Sequence, residues 1–134
     1  MLIIIRGLPG SGKSTFAEAL AKDIYNSVVV EADDFFIKDK EYRFNPTMLA
    51  QAHEWCQNTV RDYLNEGKHV IVANCFVLNE HINPYRKMAE EVSTFCFIFT
   101  MCTQYQSIHN VPEHTIARMR AMWEDCSGEI RWNK

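Results

Sequence analysis

The residues Gly7-Leu-Pro-Gly-Ser-Gly-Lys13-Ser14 match the pattern G-x-x-x-x-G-K-[ST] at every fixed position. Each fixed position has a chemical reason. Glycine lets the backbone take positive φ and approach an anion with no Cβ in the way. Successive amide N–H groups then line one concavity and cradle phosphate oxygens. A helix starting just after the loop points its positive N-terminus, about half an elementary charge, at the same anion. Lys13 adds a mobile cation that reaches β- and γ-phosphates, and the Ser14 hydroxyl suits a magnesium ion. Gly7, Pro9, Gly10, Ser11, Gly12, Lys13, Ser14 and Thr15 are therefore the expected nucleotide-binding set, for ATP or a related nucleoside triphosphate, with Ser14 as metal ligand for Mg2+.

A second group of chemistry-bearing residues follows at Glu31-Ala-Asp33-Asp34. It sits where a second parallel strand would end, and open α/β sheets bind ligands at that edge. A carboxylate there can take a proton from a hydroxyl as it attacks the γ-phosphate. Asp33 is the expected catalytic base, acting with Lys13. Asp34 is read as binding a substrate hydroxyl, orienting Asp33 or capping a helical turn, and a solvated turn also accounts for both aspartates. Asn74 ends a third strand, where many phosphate-loop enzymes place an aspartate for magnesium. It either serves the substrate or caps the strand end. Positive charge over a transferred phosphate is sought in Arg118 and Arg120 on the last helix, and acceptor binding in Arg43. For the helix pair a solvated face is the competing explanation. The stretch 103–111 is the lid candidate by position and contains no Lys or Arg. The histidines lack the paired spacing of a metal site. Phe35, Phe36, Tyr42 and Phe44 divide between core and substrate pocket, whereas Trp55 and Trp123 lie on apolar stripes and read as core.

These residues need a scaffold, and the remaining sequence supplies one. Apolar runs and 3.6-residue periodicities alternate as strand and helix, which predicts a parallel sheet of about four strands with helices on both faces, a three-layer α/β fold. With the phosphate loop after its first strand, it is similar to the P-loop NTPase type. The expected strands are Leu2 to Arg6, Val28 to Glu31, His69 to Ala73 and Thr94 to Met101. The expected helices run from Lys13 to Tyr25, from Asn45-Pro46 to Gly67, from a start or restart at Asn83-Pro84, and from near Pro112 through Ile116, Met119 and Trp123. Residues 37–44 read as a surface loop, and the tail after Ser127 carries no signal.

At 134 residues the chain is long enough for one domain, 1–134. Its net charge of −3 disfavours wrapping long duplex nucleic acid, which rests on many phosphate contacts. No signal peptide and no apolar stretch of roughly 20 residues is recognised, so no membrane partner is expected. The 5 cysteines are odd in number and without C-x-x-C spacing, which fits reduced thiols in a cytoplasmic protein.

Taken together, the phosphate loop extended to Thr15, the Asp33-Asp34 pair, the aromatic loop, Ala52-His53 and the Val111-Pro-Glu-x-x-Ile-x-x-Met helix ending near Trp123-Glu124 resemble the small P-loop kinases. The similarity is to phage and bacterial ATP-binding kinase-like proteins related to the kinase domain of phage polynucleotide 5′-kinase, and more distantly to zeta-toxin-type kinases. It implies a central phosphate-loop strand, a lid before or within the last helices, and an aspartate base, Asp33, that deprotonates a 5′-hydroxyl or similar alcohol. Three positions depart from the pattern: Phe36 stands where the polynucleotide kinases have arginine, 105–110 lacks the arginine that usually precedes the lid Val-Pro, and Asn74 stands near an expected aspartate. The leading expectation is a Mg-ATP phosphotransferase acting on a nucleoside, nucleotide or polynucleotide 5′-hydroxyl. The missing lid arginines favour a nucleotide-binding module or switch for a partner protein, and a simple ATPase is the third reading.

Overall fold

The computed structural model describes residues 1–104 and 111–132. Its centre is β1 (Leu2–Arg6), buried along its whole length. Hydrogen-bonded beside it lie β5 (His69–Asn74) and β6 (Cys96–Met101), with β2 (Ser27–Val30) at one edge and β7 (Glu129–Trp132) at the other. The order is β2-β5-β1-β6-β7, and every pairing is parallel. A parallel strand needs a crossover to return, and with right-handed crossovers the direction of each step decides which face its helix covers. The helix after β1 therefore lies on one face, and the helices before and after β5 lie on the other.

The side chains of β1 alternate between two cores. Leu2 and Ile4 pack with Val70, Val72 and Ile98 against α2 (Leu49–Asn65) and α3 (Asn79–Glu91), through Cys56, Val60, Ile82, Tyr85 and Met88. Ile3 and Ile5 pack with Ile71 and Ala73 against α1 (Lys13–Asp23), through Ala17, Phe16 and Leu20. Burial on both faces explains why β1 reads as a continuous apolar run rather than an alternation.

Several elements differ from the sequence expectation. The sheet has a fifth strand, β7, in the tail that carried no signal. Its four residues, Glu-Ile-Arg-Trp, lack an apolar run, and β6 supplies the pairing. Residues 37–44 hold a short hairpin of β3 (Ile37–Lys38) and β4 (Glu41–Tyr42). Its turn puts Asp39 and Lys40 at φ 52° and 67°, the left-handed pair that matches strand twist. Helix α3 starts a turn before Asn83-Pro84, because the Asn79 N–H donates to Glu124 Oε1 at 2.7 Å, a cap from distant sequence. The last helix, α4 (Glu113–Met122), stops one residue before Trp123, whose backbone is already non-helical. Trp123 therefore lies beyond the helical stripe and meets Arg6. Among the described residues no helix is long and apolar enough to cross a membrane. The lid-candidate residues 105–110 lie outside the described residues.

The close of α2 follows the expected pattern. Gly67 has φ 83°, its N–H donates to the Leu64 carbonyl at 3.0 Å, and Lys68 N–H donates to the Tyr63 carbonyl at 3.1 Å. This paired closure needs a left-handed residue. A Cβ on Gly67 would meet nothing within 4 Å, so substitution acts through backbone strain alone. Gly67→Ala is expected to cost about 1–2 kcal/mol, read as a lower urea midpoint at unchanged slope. An unchanged midpoint would show that this residue leaves the left-handed region.

Candidate phosphate and metal site

The turn from β1 into α1 is built by close backbone approach. Gly10 and Gly12 have φ 81° and 89°. The Gly7 N–H donates to the Cys75 carbonyl at 3.3 Å, and Ser11 N–H donates to Leu8 at 3.1 Å. A Cβ on Gly7 would collide with Ser11 Oγ and lie 3.1 Å from Met101 Cβ, so a larger residue there must displace the Ser11 hydroxyl. Ser11 Oγ is buried and has no hydrogen-bond partner among the described residues. A hydroxyl in that condition costs about 1–3 kcal/mol unless something arrives to satisfy it. Together with the loop amides and the start of α1 it fits an anion with several oxygens, such as a phosphate. Lys13 Nζ donates to the Leu8 carbonyl at 3.1 Å, folded along the loop it serves.

The metal-ligand candidate Ser14 donates through Oγ to Glu31 Oε1 at 2.6 Å. Glu31 follows β2 directly and heads the Glu-Ala-Asp-Asp run, in which spacing alone gives a role to the aspartates and none to it. Burial pushes its carboxyl above the ordinary range. The Ser14 hydrogen bond opposes that rise, the charges of Asp34 and Asp33 add to it, and Lys13 partly relieves it. A hydroxyl and a desolvated carboxylate side by side are hard oxygen donors of the kind magnesium takes, usually with waters and phosphate oxygens.

Asp34 closes a short 3-10 turn, Ala32–Phe36: its Oδ2 accepts the Glu31 N–H at 3.1 Å. Of the roles open to it in sequence, capping is the one its contacts display. Burial also raises its carboxyl, with Asp33 adding to the shift. Asp33, on the same turn, accepts a hydrogen bond from the Tyr42 hydroxyl at 3.3 Å. That hydroxyl is pushed up to about 12 by burial, the Asp33 charge and the bond itself, so it remains a donor at neutral pH. Asn74 is buried, with Oδ1 accepting the Ala32 N–H at 2.8 Å and Nδ2 donating to Cys56 Sγ at 3.6 Å. An aspartate could accept the first bond but not donate the second. The neutral amide thus pins the carboxylate-bearing turn to the end of β5.

Lys13 and Asp33 come from different elements, yet both act on Cys75, whose thiol burial raises, Lys13 lowers and Asp33 raises. Lys13 opens α1 and Asp33 lies on the turn after β2, both following strands of the parallel sheet at its carboxyl edge. The other candidates scatter. Thr15 is exposed on α1. Arg43 pairs with Glu41, and both side chains are largely solvent-exposed. Arg118 is exposed on α4. Arg120 is exposed as well, and lines an open cavity of about 210 Å³ together with Leu8 of the loop, Thr100, Gln104, Trp123 and Arg131. Gln104 Nε2 donates to the Pro9 carbonyl at 2.7 Å, joining the end of β6 to the loop. Among the aromatics, Phe36 is core, while Tyr42 and Phe44 stack beside it with ring planes 12° apart and stay partly exposed.

Comparison with known proteins agrees with this fold. The profile of a family described as "AAA domain" matches residues 2–125. NEDD4-binding protein 2 from Homo sapiens is 30% identical over 129 residues, covering 89% of this chain. The chain spans only about 7% of that relative's length. Among solved structures, a chain of the Pnkp1/Rnl/Hen1 complex superposes with TM-score 0.62 at 21% identity, covering 87% of this chain and 38% of that one. The Mycobacterium tuberculosis APS kinase CysC, in complex with AMPPNP and APS, superposes with TM-score 0.62 at 19% identity, covering 99% and 88%. At such identities the structural likeness speaks for the fold, and the profile for the family. The chain is a member of this AAA domain family, with the P-loop kinase-like fold.

Proposed function

We propose that this protein is a Mg-ATP-dependent phosphotransferase that moves the γ-phosphate to a hydroxyl acceptor, of the nucleoside, nucleotide or polynucleotide 5′-hydroxyl type. The observation that carries the reading is the contact between Ser14 of the phosphate loop and Glu31 at the end of β2, together with the buried Ser11 hydroxyl that lacks a partner among the described residues. One side of the site suits a polyphosphate and the other suits a proton acceptor. The fold shared with an APS kinase solved with AMPPNP and APS supports nucleotide-dependent phosphoryl transfer as the reaction class.

The roles follow from chemistry. The amides of 7–14 and Ser11 Oγ hold phosphate oxygens, and Lys13 swings from Leu8 to neutralise the β- and γ-phosphates. Ser14 and Glu31 would hold magnesium, which when bound supplies positive charge to the same oxygens. Asp33 accepts the acceptor's proton as the new P–O bond forms and ADP leaves. The Tyr42 hydroxyl keeps that carboxylate aimed, and the turn pinned by Asn74 sets its distance. Positioning and electrostatics supply most of the rate in such reactions. Arg120 is the cation in best position to meet the nucleotide from the α4 side.

A second reading, a nucleotide-dependent switch, is favoured by the absence of Lys and Arg from 103–111. Incubating the purified protein with labelled ATP and a panel of hydroxyl acceptors separates the readings. Label on an acceptor marks a kinase, free phosphate alone an ATPase, and tight binding without turnover a switch.

Two substitution experiments test the roles. Lys13→Ala is expected to abolish measurable transfer. Asp33→Asn should lower it by roughly 10²–10⁴-fold while ATP affinity, from equilibrium titration, stays near wild type. Wild-type turnover in Asp33→Asn would exclude that base.

Glu31 gives a pH-linked test. Its carboxyl lies above the ordinary value in the folded protein, so the native state holds this proton more tightly than the unfolded chain. The associated stability is present at low pH and lost as pH rises through the raised value. At neutral pH the charged Glu31 thus works against folding. Glu31→Gln should melt no lower than wild type at pH 7 without nucleotide, yet bind ATP more weakly when magnesium is present. A clear drop in melting temperature, with magnesium-dependent binding intact, would remove Glu31 from the site.

A further inference from the structure

The residue immediately before the phosphate loop, Arg6, has no assigned role, and it is completely buried. Its Nε and one terminal nitrogen donate to the Phe76 carbonyl at 3.1 and 2.7 Å. The same terminal nitrogen reaches the carbonyls of Val77 at 3.3 Å and Glu124 at 2.7 Å. The other donates to Glu129 Oε2 at 2.9 Å. The Trp123 ring lies over the guanidinium, 3.9 Å from its carbon to the ring centroid. One planar group therefore gathers the end of β1, the loop after β5, the end of α4 and the start of β7.

Each contact leads toward the site. Phe76 has φ 49°, a strained setting for a bulky residue. Arg6 grips its carbonyl next to Cys75, whose own carbonyl receives the Gly7 N–H. On the other side Trp123 N–H donates to the Arg120 carbonyl at 3.3 Å, and Glu124 N–H donates to Val77 at 3.0 Å. Arg120 lines the same cavity as Leu8 of the loop. Glu129, the charge partner, also accepts from Thr100 Oγ1 at 3.0 Å and from Cys126 N–H at 3.2 Å. Burial works to raise its carboxyl, but these hydrogen bonds with that of Arg6 hold it below the ordinary range.

We propose that Arg6 is a positioning residue that locks the end of α4, and with it Arg120, to the strand that launches the phosphate loop. This rests on the nucleotide-binding reading above and adds to it a coupling between two parts of the chain. A lysine at this position keeps the charge facing Glu129 but has neither the planar fork for three carbonyls nor the flat face under Trp123.

The test uses the full chain as wild type, Arg6→Lys, Arg120→Ala and the double variant. Hydrogen–deuterium exchange without nucleotide and ATP dissociation constants are measured for each. Arg6→Lys should speed amide exchange across 116–126 and weaken ATP binding by about tenfold. The double variant should bind no more weakly than Arg120→Ala, because Arg6 acts through Arg120. If Arg6→Lys does not fold, Glu129→Gln keeps the side chain's shape, removes the charge facing Arg6 and Arg131, and should show the same exchange pattern across 116–126, more weakly. Wild-type exchange in the variant, or losses that multiply in the double variant, overturns the proposal and leaves nucleotide binding intact. A wild-type chain that takes up no triphosphate overturns both readings.

Discussion

The close approach of two backbones at Gly7 sets the rest of this site. A central parallel strand is buried on both faces and must hand its chain to a helix within a few residues. That reversal puts the phosphate loop and the start of α1 at the carboxyl edge. A side chain on Gly7 would have to displace the Ser11 hydroxyl, and the Gly7 N–H binds the Cys75 carbonyl. The glycine thereby brings the ends of β1 and β5 together, so the loop that presents amides and the loop that follows β5 share one wall.

Around that wall the protein has gathered negative charge at a cost. Glu31 and Asp34 are both held above the ordinary carboxylate range by burial, and each feels Asp33. Among the named groups only Lys13 relieves Glu31 electrostatically. A site optimised for folding would place apolar or neutral groups here. Carboxylates retained under desolvation are a common mark of functional edges, and a divalent cation is the ligand that would turn this repulsion into attraction.

Neutral and cationic groups hold the acidic turn and the loop in register. Asn74 spends both ends of its amide on structure, one on Ala32 and one on Cys56. Arg6 does the same on a larger scale from the opposite side of the loop. Such buried, hydrogen-bonded groups are costly to desolvate and act only when all their partners are in place. They favour one arrangement of four chain segments over nearby alternatives.

Much of this was legible in the residues alone. The phosphate loop, the continuous run of β1, the α1 stripe and the Gly67 closure are local: pattern, φ preference and spacing decide them within a dozen residues. Other features needed the tertiary structure. β7 became a strand because β6 offers it an edge and Arg6 offers Glu129 a partner, neither visible in Glu-Ile-Arg-Trp. Helix α3 began early because Glu124 caps it. Glu31 joined Ser14, Asn74 joined Ala32 and Trp123 joined Arg6 across long stretches of chain, contacts that sequence spacing does not encode. Sequence determined which chemistry the chain carries, since glycines, a lysine and carboxylates have intrinsic reactivities. Only the packing of the sheet decided which of them meet, because distance and desolvation are properties of the folded chain.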